Sequence, residues 1–406
     1  MGGEPMIRWM ALPVAVGLLA MPTTASAKTI GPEQFGLHVQ TLGAGATPSV
    51  SVSAVRLWDS GVRWDQIETS KGVYNWAALD RAVSAAERAG ADEILYVLGS
   101  TPKWAASKFS NVDLYGPGTA SLPKKSSYYL KYAKAVAQRY KGRITSYQIW
   151  NEANTRSFYN GGKFDGWIKL AALTKDASKA IRKIDKRADI VAASSTVIPT
   201  PKFQTESFFF RYLRELKRQK ASVDAISVHL YPVNPKQGPD SRVASIAAVR
   251  KVMAKVGLKK PLWDTEVNYG DRRNPANQVV PKPKKAATYV SRTYLDSARY
   301  GIARTFWYGW DINVLGITMS NPDGSPTRAG QAFLTTREWL TAGSWKGCKD
   351  ARGVTTCTVG STKIVYAAKS TSLKRPAGVT TVTTLSGASK AADTSIKVGT
   401  APIRLS

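Results

Sequence analysis

Two glutamates stand at places in the sequence where carboxylic acids commonly do chemistry. The stretch Tyr147-Gln148-Ile149-Trp150-Asn151-Glu152 reads as an apolar strand that ends on an amide and an acid. The stretch 261–270 ends in a similar way on Glu266. A strand that only serves the core ends in ordinary turn residues, whereas parallel α/β proteins keep their functional groups at the carboxyl ends of strands. Both acids are therefore candidate catalytic groups.

Two carboxyl groups are the smallest set of catalytic groups that cleaves a glycosidic bond. One must be protonated, so that it can give a proton to the leaving oxygen, and the other ionised, so that it can attack the anomeric carbon or activate water. We expect Glu152 and Glu266 to face each other across one site. A retaining mechanism requires their carboxyl groups to lie about 5 to 5.5 Å apart.

The elements that must position these acids alternate regularly. Eight short apolar strands are separated by segments with helical spacing; the strands are predicted at 35–39, 54–59, 93–98, 144–150, 190–193, 225–229, 262–265 and 304–308. This count and order predict an α/β fold, a (β/α)₈ TIM barrel. The alternative, an open doubly wound sheet, lacks support because no glycine-rich phosphate loop follows the first strand.

In a barrel all strand tips point into one crater, so the polar and aromatic residues at the tips are candidate substrate contacts. We predict Asn151 and Arg56 as binding residues together with His229, Tyr231, Trp307, Trp310, Trp104 and His38. Arg56 can keep the nucleophile ionised, Tyr231 can hydrogen-bond it, and tryptophan rings suit the C–H faces of sugars.

These residues also have structural interpretations. Arg56 can bridge the core, His38 can be a hydrogen-bonded packing residue, and each tryptophan can be ordinary aromatic packing. Asp264 is expected on the same strand face as Glu266, one layer deeper, in a structural role. No His/Cys/Asp cluster has metal-ligand spacing and no Gly-x-Ser-x-Gly elbow occurs, so we predict no metal, no cofactor and no serine nucleophile.

We predict that the protein is exported and that its chain has three parts. Residues 1–27 read as a signal peptide, with a short apolar run and a small-residue cleavage site, and 28–341 form the barrel. Residues 342–406 are rich in Thr, Val, Ser and Gly and predict a small β-sandwich-like domain. The only two cysteines, Cys348 and Cys357, predict a hairpin disulfide in a secreted, extracellular protein.

The chain is strongly basic, with a formal net charge of +30. Its lysines and arginines are scattered over helices, without the aromatic-interleaved run of a nucleic-acid groove. We therefore expect a carbohydrate partner, with attraction to an anionic glycan or cell envelope, and no nucleic acid. No segment is a comfortable membrane span, and we expect a monomer.

Several motifs together resemble clan A of the retaining glycoside hydrolases. Trp150-Asn151-Glu152 on the fourth strand and Thr265-Glu266 on the seventh look like the catalytic motifs of this clan. The tail domain and several shorter motifs look closest to family 39, with family 5 a looser match; these motifs are Arg56-Leu57-Trp58, the turn 72–76, the segment 101–104 and His229-Leu230-Tyr231-Pro232.

The resemblance implies a role for each matching residue. Glu152 is the expected general acid/base, Glu266 the nucleophile, and Asn151 the partner of the sugar 2-hydroxyl, with His229 and Tyr231 orienting Glu266. The sequence thus predicts an exported retaining glycosidase that acts on a poly- or oligosaccharide by double displacement. Two alternatives stay open: a catalytically silent carbohydrate-binding or envelope-associated barrel, and a transglycosylase, which uses the same residues.

Overall fold

The structure is a computed structural model that describes residues 28–162 and 164–406. The predicted signal peptide, residues 1–27, lies outside the described residues. Among the helices of the described chain, none combines the length and the apolar character needed to cross a membrane.

Eight parallel strands form a barrel. In chain order these strands, β2 to β9, are Phe35–Leu37, Ala54–Leu57, Glu93–Leu98, Ser146–Ile149, Asp189–Val191, Ile226–His229, Leu262–Val267 and Ile302–Trp307. The sheet order runs β6-β5-β4-β3-β2-β9-β8-β7. Parallel bridges from Val191 to Ala225 and from Thr196 to His229 link its two ends. The predicted (β/α)₈ barrel is confirmed.

Nine helices lie in the described chain, most of them between successive barrel strands. They are α1 to α9, at Trp64–Ile67, Ala77–Arg88, Ser126–Arg139, Gly166–Arg182, Phe203–Glu206, Phe208–Arg218, Asp240–Val256, Pro283–Arg299 and Arg328–Thr341. In α2 an apolar face that includes Leu79, Val83 and Ala86 is buried. The largest buried apolar cluster includes side chains from both strands and helices, as expected when helices cover a parallel sheet.

The barrel interior has its own small apolar layer. It consists of side chains from five strands and one strand-flanking residue: Ala54, Leu95, Val191, Ala225, Trp263 and Phe306. Because side chains alternate along a strand, Arg56 points the same way as Ala54, into the barrel, one layer closer to the carboxyl ends. This apolar layer therefore lies directly beneath the polar crater residues, toward the amino-terminal ends of the strands.

The tail is an antiparallel β domain, as predicted. Its strands β10 to β17 are Ser344–Ala351, Val354–Val359, Thr362–Ala367, Thr371–Lys374, Thr381–Thr383, Ser389–Ala391, Ser395–Val398 and Ile403–Leu405. The first described residues, Lys28–Thr29, form strand β1, which pairs with β10. The resulting seven-stranded sheet has the order β1-β10-β11-β12-β17-β14-β15, and β13 pairs with β16. The predicted Cys348–Cys357 disulfide is present and joins opposed positions of β10 and β11.

The tail packs directly on α8 and α9. The Arg299 guanidinium donates to Asp350 at 2.5 Å, and Tyr366 donates its hydroxyl proton to Asp296 at 3.3 Å. Trp345 and Tyr366 belong to the same buried cluster as the barrel helices. These contacts hold strands β10 and β12 of the tail sheet against the outside of the barrel.

Candidate active site

Glu152 enters the crater because the backbone reverses just after strand β5. Trp150 and Glu152 have φ angles of 77° and 38°, in the left-handed region that costs a non-glycine residue about 1 kcal/mol or more. The Ser194 hydroxyl holds the turn by accepting from the Glu152 amide at 2.9 Å. The Trp150 indole donates to the Phe158 carbonyl at 2.8 Å. The apolar ring is thereby buried, and the two polar residues that follow it turn inward.

Glu266 enters the crater through an irregularity in β8. Trp263 belongs to the barrel interior, so strict alternation would turn Glu266 outward. Instead the pairing of β8 with β7 skips from Asp264 to Glu266, a bulge that returns Glu266 to the interior. Asp264 accepts from Arg242 of α7 at 2.6 Å, outside the barrel. The expectation that Asp264 lies beneath Glu266 on one face is therefore wrong, although its role is structural.

Arg56 joins the crater residues into one network. Its guanidinium donates to Glu266 at 2.6 Å, to Asn151 Oδ1 at 2.7 Å and to Gln148 Oε1 at 3.1 Å. The arginine is 1% exposed. An arginine stays protonated in proteins, so this buried cation provides Glu266 with a fixed counter-charge. The Asn151 oxygen is oriented toward Arg56, which leaves the amide nitrogen as the donor for a ligand.

The two acids approach each other around His229. The imidazole Nδ1 lies 2.8 Å from Glu152 Oε1 and 3.4 Å from Glu266 Oε2. One ligand atom from each of the three residues lies within 4.8 Å of the other two. Tyr231 donates its hydroxyl proton to Glu266 Oε2 at 3.0 Å. The two carboxyl groups and the imidazole therefore form one compact cluster.

The surroundings give the two acids different protonation. Burial raises the pKa of Glu152 from 4.5 to about 7, against the opposing fields of Arg56 and Arg273. Burial also raises the pKa of Glu266, but the directly bonded Arg56 cation opposes the rise. Glu266 in addition accepts from Tyr231, a contact that Glu152 lacks. Glu266 is therefore the better stabilised carboxylate, and Glu152 the acid that holds its proton near neutral pH.

His229 is an uncharged member of this network. Burial lowers its pKa from 6.5 to about 3, despite the nearby Glu266 carboxylate. A neutral imidazole carries one proton, so Nδ1 can either donate to an ionised Glu152 or accept from a protonated one. The ring can thus follow a change in the protonation of Glu152 without becoming charged.

Aromatic hydroxyl groups form a second polar cluster, which the sequence analysis missed. Asp59 accepts from Tyr115 at 2.8 Å and from Tyr308 at 2.7 Å, and the Trp58 indole donates to Tyr115 at 3.0 Å. Tyr115 lies on a long loop, and nothing in the sequence ties it to the crater. Tyr308 directly follows β9, so the strand-tip rule applied to Trp307 would also have found it.

The three tryptophans that were predicted to contact a sugar pack against other parts of the protein. Trp307 is 0% and Trp310 is 2% exposed, and both belong to the large apolar core. Trp104 donates to the Glu68 carbonyl at 2.7 Å and packs edge-on against Trp64. Trp307 and Trp310 therefore pack in the core rather than line the crater surface, whereas Trp104 is half-buried and its contact with a sugar stays a prediction.

His38 also lies behind the crater rather than at its surface. It is 1% exposed, and its Nε2 lies 3.0 Å from the Thr265 carbonyl, which makes that nitrogen the donor. Burial lowers its pKa well below 6.5. A neutral His38 thus fastens β2 to the bulged segment of β8, which is the hydrogen-bonded packing role.

Glu152, His229 and Glu266 form a donor set that a divalent cation can use, since their ligand atoms lie within 4.8 Å of one another. The sequence did not reveal it because the three residues are far apart in the chain. Two features of the site favour hydrogen bonding instead: the contact of 2.8 Å between His229 and Glu152, and the Arg56 cation 2.6 Å from Glu266.

The comparisons with known proteins define the class. Residues 138–333, which include both glutamates, match the family model described as glycosyl hydrolase catalytic core. This part of the chain is therefore similar to the catalytic core of glycosyl hydrolases, and the predicted enzyme class is confirmed. No curated protein matches the sequence.

Solved structures of family 39 enzymes share the whole fold. A family 39 glycoside hydrolase from the gut symbiont Bacteroides cellulosilyticus WH2 is 16% identical, with a TM-score of 0.69 over 92% of this chain and 80% of that chain. The GH39 enzyme from Xanthomonas axonopodis pv. citri is 15% identical, with a TM-score of 0.65 over 94% and 95%. A GH39 β-xylosidase from Caulobacter crescentus is 14% identical, with a TM-score of 0.62 over 94% and 97%. The predicted resemblance to clan A and family 39 is confirmed.

Proposed function

We propose that the protein is a retaining glycosidase in which Glu266 is the nucleophile and Glu152 the general acid/base. The observation that carries the proposal is the pair of buried carboxyl groups, whose oxygens lie within 4.8 Å of each other and of His229. That spacing allows Glu266 to reach the anomeric carbon directly. Arg56 and Tyr231 donate hydrogen bonds to the Glu266 carboxylate oxygens and so stabilise the negative charge of the nucleophile.

The first step forms a covalent intermediate. A Glu266 oxygen attacks the anomeric carbon while the bond from that carbon to the leaving oxygen breaks. Glu152 gives its proton to the leaving oxygen, so the departing group leaves as a neutral alcohol. The raised pKa of Glu152, about 7, keeps this proton available at neutral pH.

The second step returns the enzyme to its starting state. Glu152, now ionised, takes a proton from water, and the resulting hydroxide attacks the anomeric carbon and releases Glu266. A neutral His229 can donate from Nδ1 to Glu152 during this half of the cycle. If a sugar hydroxyl replaces water, the same residues perform transglycosylation, and product analysis separates the two outcomes.

The test is sugar release from a panel of plant and bacterial glycans and aryl glycosides. The panel starts with β-xylosides and β-glucosides, because solved structures of the same fold are named β-xylosidase and glucosidase. The variants are Glu266→Gln and Glu152→Gln, with Glu87→Gln as a control on the exposed outer face of α2.

Each outcome has a definite meaning. We expect Glu266→Gln to abolish release and Glu152→Gln to lower it about 10²- to 10⁴-fold on poor leaving groups, with Glu87→Gln unchanged. NMR of the first product must show retention at the anomeric carbon. Release that survives in Glu266→Gln, or inversion at that carbon, refutes the mechanism. Binding without turnover in the unmodified protein supports the silent-barrel alternative.

We also propose that the protein is exported after cleavage before Lys28. The support is the leader-like composition of residues 1–27 and a disulfide, which is typical of oxidising compartments. Expression of the full chain with N-terminal sequencing of the product tests this. Retention of the intact N-terminus inside the cell contradicts it.

A further inference from the structure

A large cavity lies between the barrel and the tail domain, apart from the crater. Its volume is about 960 Å³, within the range of about 300 to 1,000 Å³ that small-molecule sites occupy. One wall comes from the first turns of α7 and α9 and the first three turns of α8, and the other from tail residues 384–386 and 400–403. Barrel helices begin at the carboxyl ends of strands, so the cavity is at the same end of the barrel as Glu152 and Glu266.

The barrel wall of this junction cavity is positively charged. Lys284, Lys285, Arg292 and Arg328 line it, against one acid, Asp240. Arg292 pairs with Asp240 at 2.6 Å. Among the ion pairs within 28–162 and 164–406, none involves the other three cations. The amino-terminal ends of three helices add partial positive charge. The wall therefore has cationic groups that are not neutralised by the protein itself.

The cavity also offers apolar surface beside these cations. The half-buried Tyr289 ring packs on Gly238, where a Cβ atom would come within 2.6 Å of the ring. The Lys285 ammonium lies 5.4 Å from the ring centroid. Leu385 and Pro402 belong to the facing wall. Aromatic and aliphatic side chains pack well against the C–H faces of sugar rings. A simple inorganic anion would make no such contact.

We infer that the junction cavity binds a segment of an acidic glycan. The unpaired cations Lys284, Lys285 and Arg328 contact its carboxylate, sulfate or phosphate groups, and Tyr289 packs against a sugar ring. The site goes beyond the proposed catalysis because it uses none of the crater residues. A glycan held there lies at the catalytic end of the barrel, so the cavity can keep the enzyme on an acidic polysaccharide while the crater acts on it.

The test measures binding of polygalacturonate by affinity electrophoresis and calorimetry at about 150 mM NaCl, where long-range attraction is screened beyond about 8 Å. All proteins carry Glu266→Gln to prevent turnover. The variant is Lys284→Glu with Lys285→Glu. The matched control is Lys259→Glu with Lys260→Glu, an exposed lysine pair just before β8, at the opposite end of the barrel. Both pairs change the net charge equally.

We expect the Lys284/Lys285 variant to weaken binding about 10-fold, which corresponds to about 1.4 kcal/mol, because two contacts with anionic groups of the glycan are reversed. The Lys259/Lys260 control should stay within about 2-fold. Equal losses in both variants, or no loss in either, overturn the site. Circular dichroism verifies that each variant is folded.

Tyr289→Leu and three further probes separate a glycan from other anions. We expect Tyr289→Leu to weaken polygalacturonate binding with no change in net charge, and neutral dextran to bind poorly. Inorganic sulfate that displaces the glycan completely at millimolar concentration, together with a silent Tyr289→Leu, would mean a simple anion site and overturn the inference. Tighter binding of a single-stranded oligonucleotide at the same residues also overturns it. None of these readouts depends on hydrolysis, so the inference and the proposed function fail independently.

Discussion

Replacing the buried acid of the crater tests the electrostatic argument directly. Burial raises the pKa of Glu152 from 4.5 to about 7, so the folded state holds this proton more tightly than the unfolded chain. The contribution to stability is complete below pH 4.5 and is lost as the pH rises through about 7. The difference in pKa, at about 1.4 kcal/mol per pKa unit, amounts to about 3 kcal/mol at pH 8. Glu152→Gln removes the charge and nearly preserves the shape.

The assay is urea unfolding of the unmodified protein and Glu152→Gln at pH 5 and pH 8. We expect a small difference in unfolding free energy at pH 5, and a variant more stable by about 3 kcal/mol at pH 8. Glu87→Gln is the matched control. Its carboxyl bonds Arg143 on the surface, a contact that lowers the pKa of Glu87. Its effect at pH 8 should therefore be small and of opposite sign.

A pH-independent difference between the unmodified protein and Glu152→Gln would refute the reasoning. So would a variant that is less stable at pH 8 than the unmodified protein. Either result would mean that the folded crater solvates the ionised Glu152 well, and the assignment of this residue as the protonated acid would lose its physical basis. Activity measurements alone cannot make this distinction, because on the proposed mechanism any change at Glu152 lowers turnover.

Further predictions concern the crater and the tail. The kcat/KM for glycosides with poor leaving groups should fall as the pH rises above about 7, and a pH profile should flatten with activated aryl leaving groups. Arg56→Met should destabilise the fold by about 3 to 5 kcal/mol, because it leaves Glu266 buried without its counter-ion; urea unfolding measures this loss. Ser194→Ala removes the acceptor of the Glu152 amide and should cost about 1 to 3 kcal/mol and lower kcat more than KM rises. Replacing both Cys348 and Cys357 with serine should lower the stability of the tail by about 2 to 3 kcal/mol, while activity at 25 °C persists.

The sequence was sufficient for the barrel because its signals are local. Apolar strands of a few residues, separated by helical patterns, needed only composition and spacing, and polar residues at strand ends indicated where a crater would form. Glu152, Glu266, Asn151, Arg56, His229 and Tyr231 come together in the structure.

Other features could not be read from the sequence because they depend on backbone geometry. The bulge that separates the directions of Asp264 and Glu266 arises from the pairing of β8 with its neighbours. Whether a strand-end aromatic residue faces the crater depends on which way its side chain is buried. Trp307 lies at the end of its strand, yet its ring is in the core, while the following residue, Tyr308, donates a hydrogen bond to Asp59. Tyr115 lies on a loop, and loops have no hydrophobic periodicity from which their path could be predicted.

The roles that we propose for the two acids rest on their partners rather than on their positions. Both lie at strand tips and both are buried, so burial alone would raise the pKa of each. Of the two acids, Glu266 alone accepts hydrogen bonds from Arg56 and Tyr231, whereas the neutral His229 imidazole lies 2.8 Å from Glu152 and 3.4 Å from Glu266. One acid therefore ionises first, and its charge in turn discourages ionisation of the other. Removing Arg56 would erase this asymmetry, so Arg56→Met should raise the pKa that governs the acidic limb of the kcat/KM profile. An unchanged acidic limb in a folded variant would show that another group sets the charge of Glu266.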